Sequence, residues 1–235
     1  MPAHLGAFAP SCQSCEGAAW GGTMKNFSEL VEGYGRFRST DWQQQRDRWA
    51  TLAEGQSPKV MVIACSDSRV DPAQIFDVDP GEIFVVRNVA AMVPPYETTP
   101  GHHGVSAAVE FAVQFLKVSE VVIMGHGMCG GCQAALTQDL HGNDPGAGGF
   151  VADWVGMLDE AREPVARELG TTGREAELAM ELAAVKASLA NLRSFPFVKD
   201  REDKGELVLR GAHFAISDGI LRLLDEDSGE FSPAD

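Results

Sequence analysis

Two short stretches of the sequence place unlike reactive groups side by side. Cys65-Ser66-Asp67-Ser68-Arg69 offers a thiol, a carboxylate and a guanidinium, and His126-Gly127-Met128-Cys129-Gly130-Gly131-Cys132 offers an imidazole and two more thiols. Each follows an apolar, β-branched run, Val60-Met61-Val62-Ile63-Ala64 and Val121-Val122-Ile123-Met124, the pattern of buried parallel strands. In open α/β sheets ligands bind at the C-terminal ends of strands, and a βαβ crossover between these two runs can bring both turns to one edge of the sheet. Two thiolates and one imidazole suit Zn²⁺, and three protein ligands leave the fourth tetrahedral position for water, as in catalytic sites. Cys65, His126 and Cys129 are therefore the candidate ligands. Cys132 could close the site: metal-binding CxxC knuckles use its spacing, whereas its place in the expected first turn of a helix, behind Gly130-Gly131, weighs against it.

Asp67 lies two residues past Cys65, where a carboxylate can accept a hydrogen bond from a metal-bound water. Arg69 can hold it ionised and aimed through a bidentate fork. An exposed Asp–Arg pair elsewhere would contribute little, so the position beside a ligand gives this one its interest.

The elements that must position these groups are legible from periodicity. A helix is expected from Asn26, with Phe27, Leu30, Val31, Tyr34 and Phe37 at spacings of three and four, and a second from Asp41 to Leu52 on Trp42 and Trp49. After the Cys65 turn, Pro72 opens a short helix to Phe76, and Pro80-Gly81 leads into a strand from Glu82 to Arg87. Val105, Val109, Ala112, Val113 and Leu116 mark an amphipathic helix ahead of the Glu120–Gly125 strand, and a helix is expected from Gln133 to Leu140. A longer one from Glu175 to Leu192 carries Leu178, Leu182, Val185, Leu189 and Leu192 on one face, and Leu207–Phe214 and Ile220–Leu224 read as strands joined through Ser217-Asp218-Gly219. One α/β domain over residues 25–235 is expected, preceded by a disordered extension, residues 1–24, whose Cys12 and Cys15 read as solvated thiols.

Composition excludes several classes of partner. A formal net charge of −15 over 235 residues argues against nucleic acid or an anionic membrane surface, which are bound through clustered Lys and Arg. No apolar run approaches the roughly 20 residues that span a bilayer, and the N-terminus lacks the basic and apolar regions of a signal peptide. Five cysteines, an odd number, fit metal or catalytic use in a reducing compartment better than a disulfide framework. A cytoplasmic location is expected.

Cys65-Ser66-Asp67-Ser68-Arg69 and His126-Gly127-Met128-Cys129 resemble the CxDxR and HxxC zinc signature of the β-class carbonic anhydrases. Pro80-Gly81-Glu82 with Phe84 and Arg87-Asn88-Val89-Ala90 resembles the same family, and the similarity runs over residues 26–226. The resemblance implies a Rossmann-like, four-stranded parallel sheet of order 2-1-3-4 flanked by helices, with N-terminal helices packing on a partner subunit. It further implies a homodimer or homotetramer, one Zn²⁺ per chain, and reversible hydration of CO₂ to bicarbonate and a proton by zinc hydroxide, the metal lowering the pKa of its bound water towards neutrality. Two anionic thiolates donate more charge than imidazoles would, so alkaline pH is expected to favour hydration.

The resemblance assigns Asp67 and Arg69 to catalysis. It gives Gln56 to substrate binding across the dimer interface, Phe84, Val89 and Phe111 to an apolar CO₂ pocket, and the Gly130 N–H to substrate contact. Members that bicarbonate switches off carry Trp three residues before the first Cys and Tyr late in the chain. Val62 and Phe214 stand there, so a constitutively open form is expected, with Asp67 on Arg69. Two other readings use the same scaffold: a hydrolase of a linear CO₂ analogue such as carbon disulfide, and a non-catalytic, zinc-stabilised interaction module.

Overall fold

The computed structural model describes residues 25–234, so the expectation for residues 1–24, Cys12 and Cys15 included, lies outside the described residues. The described chain falls into two compact units, residues 25–56 and residues 57–234.

In the first unit, α1 (Phe27–Ser39) starts at a capping box, Asn26 accepting from the Glu29 N–H while the Glu29 carboxylate accepts from the Asn26 N–H. The helix expected over Asp41–Leu52 is broken into α2 (Asp41–Gln44) and α3 (Arg46–Glu54) at Gln45, whose backbone (φ −104°, ψ 25°) leaves the helical region. The run Gln43-Gln44-Gln45 supplies no apolar anchor to hold a continuous helix. Beyond the break Trp49 stacks edge to face on Phe37, with ring centroids 5.9 Å apart.

The second unit is built on one sheet: β1 (Val60–Cys65), β2 (Ile83–Asn88), β3 (Glu120–His126), β4 (Val208–Ala215), β5 (Ile220–Asp225) and β6 (Glu230–Pro233), in the order β2-β1-β3-β4-β5-β6. The first four strands are parallel in the expected order 2-1-3-4. The sheet is nevertheless six-stranded and mixed, because β5 and β6 add antiparallel hairpins. Their turns are local chemistry: Gly219 takes φ +72° in the first, and in the second Asp225 accepts from the Asp227 and Ser228 N–H groups before Gly229 at φ +73°.

The connections carry α4 (Pro72–Ile75), α5 (Gly104–Glu110), α6 (Gly130–Thr137), α7 (Gly149–Val155), α8 (Asp159–Leu169), α9 (Arg174–Arg193) and α10 (Pro196–Asp203). The helix of α5 continues as a π-helical stretch, Phe111–Leu116, and α6 starts three residues earlier than the apolar pattern suggests, so Cys132 lies in its first turn. Alternation fails in β1 and β3 because both strands are covered on both faces: Met61, Ile63, Val121 and Ile123 enter one core cluster, Val62, Ala64 and Met124 another.

The buried face of α9 is also rotated from the expected leucine stripe. Ala176, Met180, Glu181, Ala184, Val185, Ser188, Leu189 and Leu192 face inward, and Leu178 and Leu182 are only half-buried. Small residues on both sides bring this helix close to the sheet: a Cβ on Gly125 would come within 2.7 Å of Val185 Cγ2, and one on Gly211 within 3.0 Å of Val185 Cγ1. Among the described residues no helix is long and apolar enough to cross a membrane.

Candidate metal centre

β1 and β3 are neighbours at the point where the strand order reverses, and their registers place both C-terminal ends together: Ala64 is level with Met124, Cys65 with Asn88 of β2, and His126 with Phe214 of β4. Cys65 ends β1, His126 ends β3, and Cys129 is the N-cap of α6. Their ligand atoms all lie within 4.8 Å of one another, and all three residues are buried. The two Sγ atoms are 4.0 Å apart, close to the roughly 3.8 Å that two Zn–S bonds of about 2.3 Å subtend at a tetrahedral angle.

His126 Nδ1 faces the Gly127 carbonyl at 2.9 Å, so Nδ1 carries the proton and donates. That leaves Nε2 as a buried lone pair with no hydrogen-bond partner among the described residues. An orphaned imidazole nitrogen facing two thiols is a donor set for a borderline-soft cation, and Cys65, His126 and Cys129 fit Zn²⁺. Hydrogen bonding with Cys129 and burial push the Cys65 thiol up to about 12. Cys129 is raised too, first by its contact with Cys132 and then by burial. Both thiols therefore hold their protons at neutral pH until a cation replaces them.

Each strand-end turn is braced from a neighbouring element. At the first, Arg69 forks onto Asp67, Nε to Oδ1 at 2.9 Å and Nη2 to Oδ2 at 2.7 Å, and the Arg69 N–H donates to Oδ1 at 2.9 Å. These bonds, led by the guanidinium, hold the Asp67 carboxyl down at about 2. Its Oδ2 stands 4.0 Å from His126 Nε2. Arg87, on β2, clamps the same turn, donating to the carbonyls of Cys65 (2.9 Å) and Asp67 (2.6 Å) and to the Asp71 carboxylate (3.0 Å).

At the second turn Met128 takes φ +57°. Its N–H donates to Glu181 Oε1 at 2.6 Å, and its carbonyl accepts from Arg69 Nη2 at 3.0 Å. Sequence reasoning gave no role to Arg87 or Glu181. The signal for Glu181 was a carboxylate on the stripe Glu181, Val185, Ser188, Leu192, at spacings of four, three and four in an otherwise inward-facing row.

The expected substrate residues separate into two groups. Gly130 opens α6 beside Cys129, and Val89 lies against the same turn, since a Cβ on Gly131 would come within 2.7 Å of Val89 Cγ1. Phe84 is in register with Met61, four residues before the Cys65–Asn88 pair, about 13 Å down the strand from the ligand end. It pairs with Phe111 at 5.8 Å between ring centroids, and Phe111 is 44% exposed. Gln56 belongs to the unit of residues 25–56. Cys132 is buried in the first turn of α6 and is not one of the three grouped ligands.

Fold and site together define an open α/β sheet whose switch point carries a Cys-His-Cys metal centre beside an Asp–Arg pair. The carbonic anhydrase family profile matches residues 60–221. "Beta carbonic anhydrase 3" of Arabidopsis thaliana is 34% identical over 199 residues, covering 84% of this chain and 76% of that protein. Among solved structures, the β-carbonic anhydrase CcaA superposes with a TM-score of 0.81 at 29% identity, covering 88% of this chain and 92% of its own. Tetrameric β-carbonic anhydrases from Sordaria macrospora give 0.73 at 29% identity, over 88% and 98%.

The chain belongs to the β-class carbonic anhydrases. Its reaction is the zinc-dependent hydration of CO₂, and neither the carbon disulfide hydrolase nor the interaction-module reading gains support from these relatives.

Proposed function

We propose that Cys65, His126 and Cys129 hold the single zinc of each chain, that Asp67 and Arg69 are its catalytic pair, and that the enzyme interconverts CO₂ and bicarbonate for carbon utilization. The observation that carries this is the two-point fork between Asp67 and Arg69 with Oδ2 4.0 Å from His126 Nε2. Zinc held by these three residues would supply an acidified water as nucleophile. Asp67, held ionised by Arg69, would serve as the hydrogen-bond acceptor that orients that nucleophile. Arg69 keeps Asp67 from swinging toward the metal position, which is the open form, and the residues at the positions that mark the bicarbonate-regulated members, Val62 and Phe214, support it.

The Gly130 N–H belongs to the first turn of α6, where amides lack intrahelical partners, and is placed to bind a substrate oxygen, with Val89 as the apolar wall beside it. Gln56, Phe84 and Phe111 complete the pocket from a second copy of the chain. The support is that Phe84 and Phe111 stand away from the ligand end within one chain while Phe111 is open to a partner. A dimer or a tetramer supplies that copy, and the tetrameric relatives from Sordaria macrospora favour such an assembly. Three buried, unpaired thiols suit a cytoplasmic setting.

Stopped-flow CO₂ hydration with bound zinc counted on the same sample tests the assignment. Asp67→Ala is expected to keep one zinc per chain and to lose activity by a factor on the order of 100 or more. Full activity in that variant overturns the role of Asp67, and zinc retained at full affinity in Cys65→Ser or Cys129→Ser overturns the ligand set.

A further inference from the structure

Glu181 is 2% exposed, and the roles assigned above leave it unused. Taking an ionised carboxylate out of water is strongly unfavourable unless it is paired and fully hydrogen-bonded. Two partners satisfy that need: Arg174, donating Nη1 to Oε1 at 3.0 Å and Nη2 to Oε2 at 3.5 Å, and His213, whose Nε2 lies 3.0 Å from Oε2. Burial raises the carboxyl, but hydrogen bonds from His213 and Arg174 outweigh it and hold Glu181 below the ordinary range. A merely structural ion pair would stop there.

Glu181 instead spends Oε1 on the ligand turn as well, accepting from the Met128 N–H at 2.6 Å and the Cys129 N–H at 3.4 Å. Met128 needs such an anchor. A non-glycine residue in the left-handed region is strained, and the Met128 side chain is 41% exposed. The carbonyl of the same residue accepts from Arg69 Nη2. A continuous hydrogen-bonded path therefore runs from His213 through Glu181, Met128 and Arg69 to Asp67.

We propose that Glu181 is a positioning residue for both halves of the centre: it holds the His126–Cys129 turn in the left-handed conformation that aims Cys129 at Cys65 and His126, and through the Met128 carbonyl it fixes Arg69 and Asp67. This rests on the ligand assignment above. The near-isosteric Glu181→Gln separates the role from simple packing. Its single carbonyl can face the Met128 N–H or the His213 and Arg174 donors, but its amide then meets whichever donors remain.

The experiment measures zinc affinity of the folded, metal-free protein by chelator competition, together with the visible spectrum after cobalt(II) loading. Glu181→Gln is expected to bind zinc 10- to 100-fold more weakly and to alter the cobalt(II) ligand-field bands. Zinc affinity within twofold of wild type with an unchanged spectrum overturns the proposal, even if the variant melts earlier. If the variant does not fold, amide exchange in the wild-type metal-free protein decides: Met128 and Cys129 amides protected like those of central β3 uphold it, and rapid exchange there overturns it. Failure of the wild-type protein to bind zinc, or Cys129→Ser binding it unchanged, faults the ligand assignment instead.

Discussion

At the scale of single residues, the centre is a set of protons awaiting displacement. Cys65 is raised to about 12 and Cys129 is raised with it, so both are thiols at neutral pH, yet only thiolates bind the metal. Zinc uptake by the metal-free protein should therefore release two protons, one from each cysteine, and affinity should rise with pH. Calorimetric titration in buffers of different ionisation enthalpy reads the proton count directly; no release would mean the thiols are already ionised.

The sign for folding stability runs the other way. A thiol raised in the folded state stabilises the metal-free protein below the unfolded value of 9.0 and loses that contribution as pH climbs from there through about 12. Urea midpoints of the metal-free protein are expected to fall across that window, with bound zinc opposing the fall. Asp67, depressed to about 2, contributes fully above its unfolded value of 3.8 and loses that contribution as acid takes the pH from there down through about 2.

At the scale of elements, the site depends on how closely two segments approach. The first turn of α6 packs against the Val89–Ala91 turn, where Ala90 and Ala91 take φ +64° and +54° and the Asn88 side chain brackets Met92 with two bonds of 2.8 Å. A Cβ on Gly131 would come within 2.7 Å of Val89 Cγ1, 3.0 Å of Ala90 Cβ and 3.3 Å of the Ala90 nitrogen. Val89 can rotate away but Ala90 cannot. Gly131→Ala is thus expected to destabilise the protein by about 1–3 kcal/mol, seen as a lower urea midpoint, whereas Gly130→Ala, with nothing within 4 Å of the added Cβ, should be far milder.

The same closeness explains what could be read in advance. The strands and the two reactive turns were legible because parallel strands are written as apolar runs and their ends as polar clusters, whereas the order of the strands followed only from the family resemblance. The inward face of α9 was not, because its packing against Gly125 and Gly211 is carried by Ala176, Met180 and Ala184, and periodicity follows the larger Leu178 and Leu182. The Gln45 break and β6 were hidden for a different reason. One depends on missing anchors, and the other is a four-residue strand, Glu230–Pro233, too short and polar to show an apolar alternation.

At the scale of the molecule, apolar surface remains to be covered. On α1, Phe27, Leu30, Val31 and Tyr34 stand exposed at helical spacing. On the sheet unit Phe84, Phe111 and Phe115 form a ladder with successive centroids 5.8 Å apart, and Phe115 is 70% exposed. Patches of this kind mark interaction surfaces, and under the function proposed above the partner is a second copy of the chain. Phe115→Glu should therefore lower the sedimenting mass and the activity together, and an unchanged mass would argue that this ladder lies outside the interface.

Chain mixing isolates the shared site. Asp67→Ala chains carry an intact Gln56 but a dead centre, and Gln56→Ala chains carry an intact centre but lack the donor. If each site draws Gln56 from its partner, co-refolding the two variants creates mixed assemblies in which one centre has both groups, and CO₂ hydration should exceed that of either variant alone. If Gln56 serves the centre of its own chain, no mixed assembly contains a complete site, and the mixture should show only the average of the two.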